Sequence, residues 1–271
     1  MEWPKLKSII LILLAFTNLS LLVLLGGPAW EYAQLQQKNR LEAITLLREK
    51  GIEIAEETVP QEMDMAAQTV IRELQGEQLL AEKLLGKELN REVLGGEVYR
   101  YENEKGSIQF HSDGSFSAKL DPAVFSVGEE PQKIVLALLD KLDYQGEVLN
   151  REEKSLTVGQ YWKGYALFDR QVTVCWDDVG LTQLEQGSRL IGTPVQIPGQ
   201  KTLTVATALI TLLNRLDELG DVYSQVHEIC QGYVSTTVLS GPMELIPVWR
   251  ITTDTGIYQL NMVNGQLSRV S

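Results

Sequence analysis

The sequence predicts an α+β protein in which an N-terminal transmembrane helix precedes a region of repeated helix-plus-antiparallel-sheet subdomains. Three observations lead to this prediction. An uncharged, mostly apolar stretch runs from Ser8 to Trp30. The chain after it is acidic, and its apolar residues recur first at helical and then at strand spacing. Short turns separate the strands, so their sheets are expected to be antiparallel.

The apolar stretch is predicted to be a membrane anchor. Residues 9–30 can cover the hydrocarbon core of a bilayer, which needs roughly 20 residues. Lys5 and Lys7 precede the stretch and Glu31 follows it, so the N-terminus is expected in the cytoplasm and the remainder outside the cell. A cleaved signal peptide is the alternative, although its apolar core has only about 7–15 residues.

Two polar side chains inside the predicted span are candidate contacts to another membrane helix. Asn18 lies near the middle of the span, where an amide gains by hydrogen bonding to a second helix. Ser20 is the other candidate, although a serine hydroxyl can also bond to its own helix backbone. An asparagine tolerated without a partner is the alternative, since measured interhelical bonds average only ~0.6 kcal/mol.

The charge and the cysteines restrict the partners and the chemistry of the exported part. The net charge is −12, and Glu2, Lys5 and Lys7 contribute +1, so the chain after residue 8 carries −13. That sign argues against binding to nucleic acid or to an anionic surface. Export permits a disulfide between Cys175 and Cys230, and separate buried thiols are the alternative.

The chain is predicted to divide into six segments. They are a cytoplasmic N-terminus (1–8), the anchor (9–30), a juxtamembrane helix and linker (31–64), a first, divergent α+β unit (65–128), a second unit (129–196) and a third unit (197–271). The juxtamembrane helix either transmits position from the membrane or is a simple stalk.

An internal repeat and a set of turn signals support the three units. Ala137–Gly146 matches Thr211–Gly220 at five of ten positions with a constant offset of 74. Both segments end amphipathic helices, and strand-like runs follow both. Asp113-Gly114 in the first unit and Asn264-Gly265 in the third are typical hairpin turns.

No catalytic, metal-binding or cofactor-binding constellation is predicted. His111 and His227 lack the spacing partners of a metal site. The run from His111 to Asp113 contains the residue types of a catalytic triad, but consecutive residues at a hairpin tip are better explained as a turn. Asp177 and Asp178 form a carboxylate pair at another turn, which is better explained as a solvated turn than as a weak cation site. The sequence therefore predicts a protein that is not an enzyme.

An aromatic segment supplies the remaining candidate contacts to a partner. These candidates are Tyr161, Trp162, Tyr165 and Phe168. On one continuous strand, Tyr161 and Tyr165 share one face. Trp162 and Phe168 then share the other, unless Gly164 forms a bulge. One set would cover the core and the other would form an exposed patch. Burial under a neighbouring helix is the alternative.

Four segments together carry a family resemblance. They are Met1–Lys7 followed by the span, Leu79–Gly86 with Tyr101 and Gly106–Phe110, Gly159–Asp169, and Gly232-Tyr233 with Pro247–Ile251, Tyr258 and Asn264-Gly265. In this order they resemble the YycI regulatory proteins, relatives of YycH, from Gram-positive bacteria. Two departures are Ala166, where that family usually has proline, and a polar insertion near residues 61–78. The terminal repeats are also similar to PepSY-type modules.

The resemblance implies a regulator. Family members act with YycH and contact an essential cell-wall sensor histidine kinase, partly through membrane helices. It therefore predicts a membrane-anchored extracytoplasmic regulator of a two-component system, in contact with the kinase, with a YycH-like protein and, through residues 9–30, with the bilayer. The alternative function is an anchored PepSY-like module that binds or inhibits an envelope protease or binds a ligand.

Overall fold

The computed structural model describes residues 31–61, 65–219, 224–237 and 242–270, together with Leu14 and Thr17. From residue 31 onward, the described residues form four α-helices and one short 3₁₀ helix. They are α1 (31–49), the 3₁₀ helix Glu56–Thr58, α2 (Leu74–Leu85), α3 (Pro131–Lys141) and α4 (Val205–Leu219).

Fifteen strands are defined in the same described residues. They are β1 (Glu53–Ile54), β2 (Gln68–Val70), β3 (Asn90–Val93), β4 (Tyr99–Asn103), β5 (Gly106–Phe110), β6 (Ser115–Leu120), β7 (Gly146–Arg151), β8 (Ser155–Trp162), β9 (Tyr165–Trp176), β10 (Leu181–Ser188), β11 (Pro194–Gln196), β12 (Gln225–Thr237), β13 (Met243–Thr253), β14 (Ile257–Asn261) and β15 (Leu267–Val270).

These strands belong to one mixed sheet. Its longest path has the order β11-β2-β13-β12-β9-β10-β6-β5-β4-β3, and β1, β7, β8, β14 and β15 attach to strands of that path. β12 is parallel to both β1 and β9, whereas β6 and β10 are antiparallel. Each of α2, α3 and α4 precedes four consecutive strands that are hydrogen-bonded in chain order.

The chain forms two compact units. The larger comprises Asp64–Thr202, Cys230–Ile251 and Ile257–Ser271, and the smaller comprises the chain up to Met63, Leu203–Ile229 and Thr252–Gly256.

The core of the larger unit is shared by two of the helices. Leu80 and Leu84 of α2 and Val135 and Leu139 of α3 lie in the same apolar cluster as residues of β4–β6 and β8–β10. The spacing of four residues in each pair places both side chains on one face of the helix. Two sets of helix and strands are thus stabilised by one core.

Local chemistry explains where several elements begin and turn. Pro131 is the first residue of α3, where its missing N–H would have had no partner in the helix. Asp113-Gly114 joins β5 to β6, and the Asp113 carboxylate accepts a bond from the Ser115 N–H at 2.9 Å. Asn264-Gly265 joins β14 to β15. The sequence predictions of these two turns are confirmed.

The smaller unit contains a buried arginine. Arg40 of α1 is 8% exposed and donates from Nε and Nη2 to the Val59 carbonyl at 3.1 and 2.6 Å, and from Nη2 to the Glu56 carbonyl. These bonds satisfy the buried guanidinium, and they order the segment after β1 that the sequence predicts to be a linker.

The predicted fold class is wrong. The sequence predicts separate subdomains with antiparallel sheets, but the described strands form a mixed sheet and α2 and α3 share one core. The physical reason is that a four-stranded sheet has edges with unpaired backbone groups, and here the edge strands β6 and β10 pair with each other. Within the described residues, no helix is long and apolar enough to cross a membrane. The predicted span, residues 9–30, lies outside the described residues except for Leu14 and Thr17.

Candidate functional site

The aromatic segment is a hairpin rather than one strand. β8 ends at Trp162, β9 begins at Tyr165, and these two residues pair directly. The two residues between them, Lys163 and Gly164, have φ of 50° and 84°. Two consecutive positive φ angles define the tight turn whose twist matches a hairpin. We call residues Tyr161–Phe168 the aromatic hairpin.

The turn exchanges the faces of Tyr161 and Trp162 relative to the residues that follow it. Residues directly opposite each other in a ladder point to the same face. Trp162 therefore shares a face with Tyr165, and Tyr161 shares the other with its partner Ala166 and with Phe168. The prediction that Trp162 and Phe168 share a face is wrong, because it assumed a continuous strand through Lys163.

One face of the hairpin contacts a buried tyrosine. Trp162 and Tyr165 meet the ring of Tyr233 edge-on, with centroid separations of 5.7 and 5.9 Å. Tyr233 is 2% exposed, and its hydroxyl donates to the Ala66 carbonyl at 3.2 Å. Trp162 and Tyr165 are themselves only partly buried. Each ring thus packs inward against Tyr233 and still presents surface to solvent.

The other face is built around a glycine. Gly232 of β12 pairs with Ala166, and a Cβ added there would lie 2.5 Å from the Ala166 carbonyl oxygen and 2.6 Å from the Phe168 ring. Only glycine allows this close approach. The Phe168 ring also contacts a cation, because the guanidinium carbon of Arg250 lies 4.6 Å from its centroid.

A buried arginine braces the base of the hairpin. Arg170 is 6% exposed. It donates to the Asp113 carbonyl at 2.9 Å and to the Ser235 hydroxyl. The Asp169 carboxylate in turn accepts from the Ser235 N–H at 3.0 Å. The hairpin is therefore fixed to β12 and to the turn between β5 and β6, which limits its motion relative to the sheet.

The hairpin carries positive charge in an acidic chain. The exposed Lys163 places its Nζ 4.8 Å from the centre of the Trp162 ring. Arg250 supplies the second cation, at Phe168. The whole chain has a net charge of −12, so these two cations place local positive charge in a chain that is acidic overall.

The other sequence candidates lie elsewhere. Asn18 and Ser20 fall outside the described residues. His227 is exposed, and the ring of His111 lies 3.0 Å from the Gln109 amide nitrogen. Asp177 accepts bonds from backbone N–H groups within its own turn. Among the residues that the structure describes, no group of three or more His, Cys, Asp or Glu side chains is placed to hold a metal ion.

The two cysteines do not form a disulfide in the described chain. Burial and the nearby Glu185 carboxylate raise the pKa of the Cys175 thiol. A thiol that stays protonated is a poor nucleophile, so Cys175 has no activating surroundings.

Sequence reasoning missed Tyr233 and Arg250. Both contact the aromatic hairpin, yet they lie on β12 and β13, far along the chain. No local pattern identifies them, because the contact depends on β12 lying parallel to β9. The glycine at 232 was the available signal, since a glycine inside a strand often marks a close approach.

Comparisons with known proteins give little guidance. No protein-family model matches the chain, and no curated protein matches it. Among solved structures, one similar chain is an uncharacterized protein from Eubacterium rectale, with 13% identity and a TM-score of 0.41 over 76% of this chain and 81% of that chain. A similarity this low carries no argument about fold or function.

Proposed function

We propose that this protein regulates a cell-wall sensor histidine kinase by direct contact at the outer face of the cell membrane, together with a YycH-like protein. The aromatic hairpin is the contact surface in this proposal. The observation that carries it is the pair of partly exposed rings, Trp162 and Tyr165, beside the exposed cation Lys163. Tryptophan, tyrosine and arginine are enriched among the residues that dominate binding at protein interfaces. Lysine is depleted there, so Lys163 is assigned a role in charge complementarity.

The packing of the hairpin favours binding because it is already ordered. Trp162 and Tyr165 are held against Tyr233 before any partner arrives. An immobilised side chain loses little rotamer freedom on association, which otherwise costs about 0.5–1.5 kcal/mol for each flexible side chain. The hydrogen bonds of Arg170 at the base of the hairpin also order the hairpin before a partner binds.

The charge of the hairpin indicates the chemistry of the partner surface. Lys163 and Arg250 favour an acidic patch on the kinase or on the YycH-like protein. Exposed charge pairs are screened by salt, with a Debye length of about 8 Å at physiological ionic strength. Association through this surface should therefore weaken as the salt concentration rises.

A charge reversal tests the surface while sparing the fold. In full-length protein purified from membranes, Lys163→Glu should reduce co-purification of the kinase about fivefold or more, because it replaces an attraction by a repulsion. The control is Lys201→Glu, which makes the same charge change at another exposed position. Equal loss in both variants, or no loss in either, would contradict the proposal.

The identity of the partner needs a separate experiment. A photo-crosslinking residue at position 163 should capture the sensor kinase or the YycH-like protein in intact cells. The control position is Val179, which is 60% exposed at the turn between β9 and β10. Capture of neither protein from position 163, or equal capture from 179, would remove the hairpin from the interface.

A further inference from the structure

A cavity of about 290 Å³ lies in the larger unit. Its walls come from α2, from the residues that follow α3, from β8 and from the segment after β10. The volume is just below the range of small-molecule sites, which is about 300–1,000 Å³. We call it the Arg189 cavity after the cation in its wall.

The wall is held together by close backbone contacts. The Glu73 N–H donates to the Ile191 carbonyl at 2.7 Å, and the Thr193 N–H donates to the Glu73 carboxylate at 3.0 Å. A Cβ at Gly192 would lie 2.0 Å from the Ile71 carbonyl oxygen, so this position requires glycine. The segment after β10 is therefore fixed against the start of α2, and these contacts hold one wall of the cavity in place.

Arg189 is the cation of this wall without a direct counter-ion. Within the described residues its guanidinium makes no ion pair or hydrogen bond, and its central carbon lies 5.9 Å from the centroid of the Phe110 ring. Burial lowers the pKa of Arg189, and the Glu77 and Glu73 carboxylates oppose that shift. An arginine nevertheless stays charged in proteins and offers five N–H donors.

The other charges around the cavity already have partners. Lys83 at the rim pairs with Asp143. Glu77 pairs with Arg72 at 2.8 Å, and Glu73 accepts the Thr193 N–H. An incoming anion can therefore pair with the guanidinium of Arg189 without displacing an existing ion pair.

Gln160 provides a second donor. Its side chain is 9% exposed, and its Oε1 accepts the Leu190 N–H at 3.1 Å. That bond orients the amide, and its NH₂ group has no hydrogen-bond partner in the part of the chain that the structure describes. Arg189 and Gln160 therefore both offer donors, and a carboxylate accepts only.

We propose that the Arg189 cavity binds a small monocarboxylate with a short aliphatic chain. The carboxylate would take the donors of Arg189 and Gln160. The apolar part would contact Leu79, Leu80, Leu142 and Ile191, which line the same space. A single negative charge is favoured over a phosphate dianion, because the Glu73 carboxylate also lines the cavity and would repel a second charge.

Hexanoate is the probe, titrated into the full-length protein and followed by calorimetry. Hexan-1-ol has the same chain without the charge and should bind about tenfold more weakly or worse, since hydrogen bonds to a charged group contribute about 1.5–3 kcal/mol. Arg189→Gln should weaken hexanoate binding to the same degree. Arg100→Gln is the control, because it removes a cation from a half-buried pair with Glu102 on β4 that does not line the cavity.

A second variant keeps the test decisive if Arg189→Gln does not fold. Gln160→Glu retains an oxygen for the Leu190 N–H and adds a negative charge to the wall, so it should weaken hexanoate binding by about tenfold while thermal unfolding stays cooperative. The absence of saturable hexanoate binding, equal affinity of the variants and the parent, or tighter binding of hexyl phosphate would overturn the proposal.

Discussion

Helices α3 and α4 carry the same leucine pattern, but their buried faces coincide only in part. In α3, Leu139 is 2% exposed and Leu138 is only partly buried. In α4, the position equivalent to Leu138 is Leu212, which is fully buried, and the equivalent of Leu139 is Leu213, which is partly buried. Val135 and its equivalent Leu209 are buried in both helices, so the two buried faces overlap and differ at the adjacent leucines. The repeat in sequence is therefore only partly a repeat in packing.

The difference teaches that a leucine-rich match does not specify an orientation. A run with two adjacent leucines offers two overlapping apolar stripes, and the neighbouring elements decide which stripe is buried. α3 packs into the core of the larger unit, with α2 and the strands β4–β6 and β8–β10. α4 belongs to the smaller unit, which also contains α1 and β1.

The largest expected effect comes from truncating the leucines at equivalent positions. Leu139→Ala and Leu212→Ala should each lower the free energy of unfolding by about 3 kcal/mol, because each removes a buried side chain. Leu138→Ala and Leu213→Ala should cost only about 1 kcal/mol. Denaturant unfolding of the four variants measures this.

Each leucine is the control of its neighbour, because the chemical change is the same. Equal costs within a pair would show that the two stripes are equally buried. Larger costs for Leu139 and Leu213 than for Leu138 and Leu212 would show that the helices pack alike, and the comparison would fail.

The end of α3 has an anchor that the repeat does not reproduce. The buried Tyr144 hydroxyl donates to the Ser188 carbonyl at 3.0 Å, and burial raises its pKa, so it remains a donor. The equivalent position holds Glu218. Tyr144→Phe should lower the free energy of unfolding by about 1.5 kcal/mol, since a buried carbonyl loses its donor. Tyr165→Phe is the matched control; no change for Tyr144→Phe relative to it would contradict the anchor.

The two helices also begin differently. α4 is capped by Thr204, whose hydroxyl accepts the Thr207 N–H at 3.2 Å, whereas α3 begins at Pro131 without a side-chain cap. Thr204→Ala should cost about 1 kcal/mol. Glu130→Ala, at the equivalent place in α3, should cost about 0.3 kcal/mol, the value of an exposed pair with Lys133. Thermal unfolding of the two variants measures these costs, and a larger loss for Glu130→Ala than for Thr204→Ala would contradict the prediction.

The smallest effect concerns the turns that follow β9 and β13. The Ser224 hydroxyl, with backbone N–H groups, holds the pKa of Asp254 below its usual value. The backbone N–H groups of Gly180 and Val179 do the same for Asp177. A lowered folded pKa adds stability above the unfolded pKa of about 3.9 and loses it as the pH falls through the folded pKa.

Asparagine substitutions reveal the difference between these turns. Asp254→Asn should speed amide exchange at Ser224 and at Gln225, the first residue of β12, whereas Asp177→Asn should act only within its own turn. Both variants should approach the parent in stability as the pH is lowered from about 7 to about 2. Asp140→Asn, at an exposed position of α3, controls for the charge. A constant difference across that range would contradict the assignment.

Sequence reasoning succeeded where the cause is local. Pro131 and the Asp113-Gly114 turn act within a few residues, and both were predictable. Lys163 was not, because a lysine at positive φ gives no turn signal. The pairing of β6 with β10 was not predictable from the sequence either, because an edge strand has the same alternation of apolar residues as a central strand. The residues around the hairpin and the Arg189 cavity meet through such pairings.

Strand β2 has a consequence for the order in which the chain can fold. It lies between β11 and β13 and pairs with both, and the adjacent Ala66 carbonyl accepts the Tyr233 hydroxyl across 167 residues. Closing so long a loop delays contact formation and slows folding. During synthesis the backbone of β2 therefore stays unpaired until β11 has emerged, and its second edge stays unpaired until β13 has emerged. We expect this segment of the nascent chain to be exposed to chaperones and to misassembly during that interval.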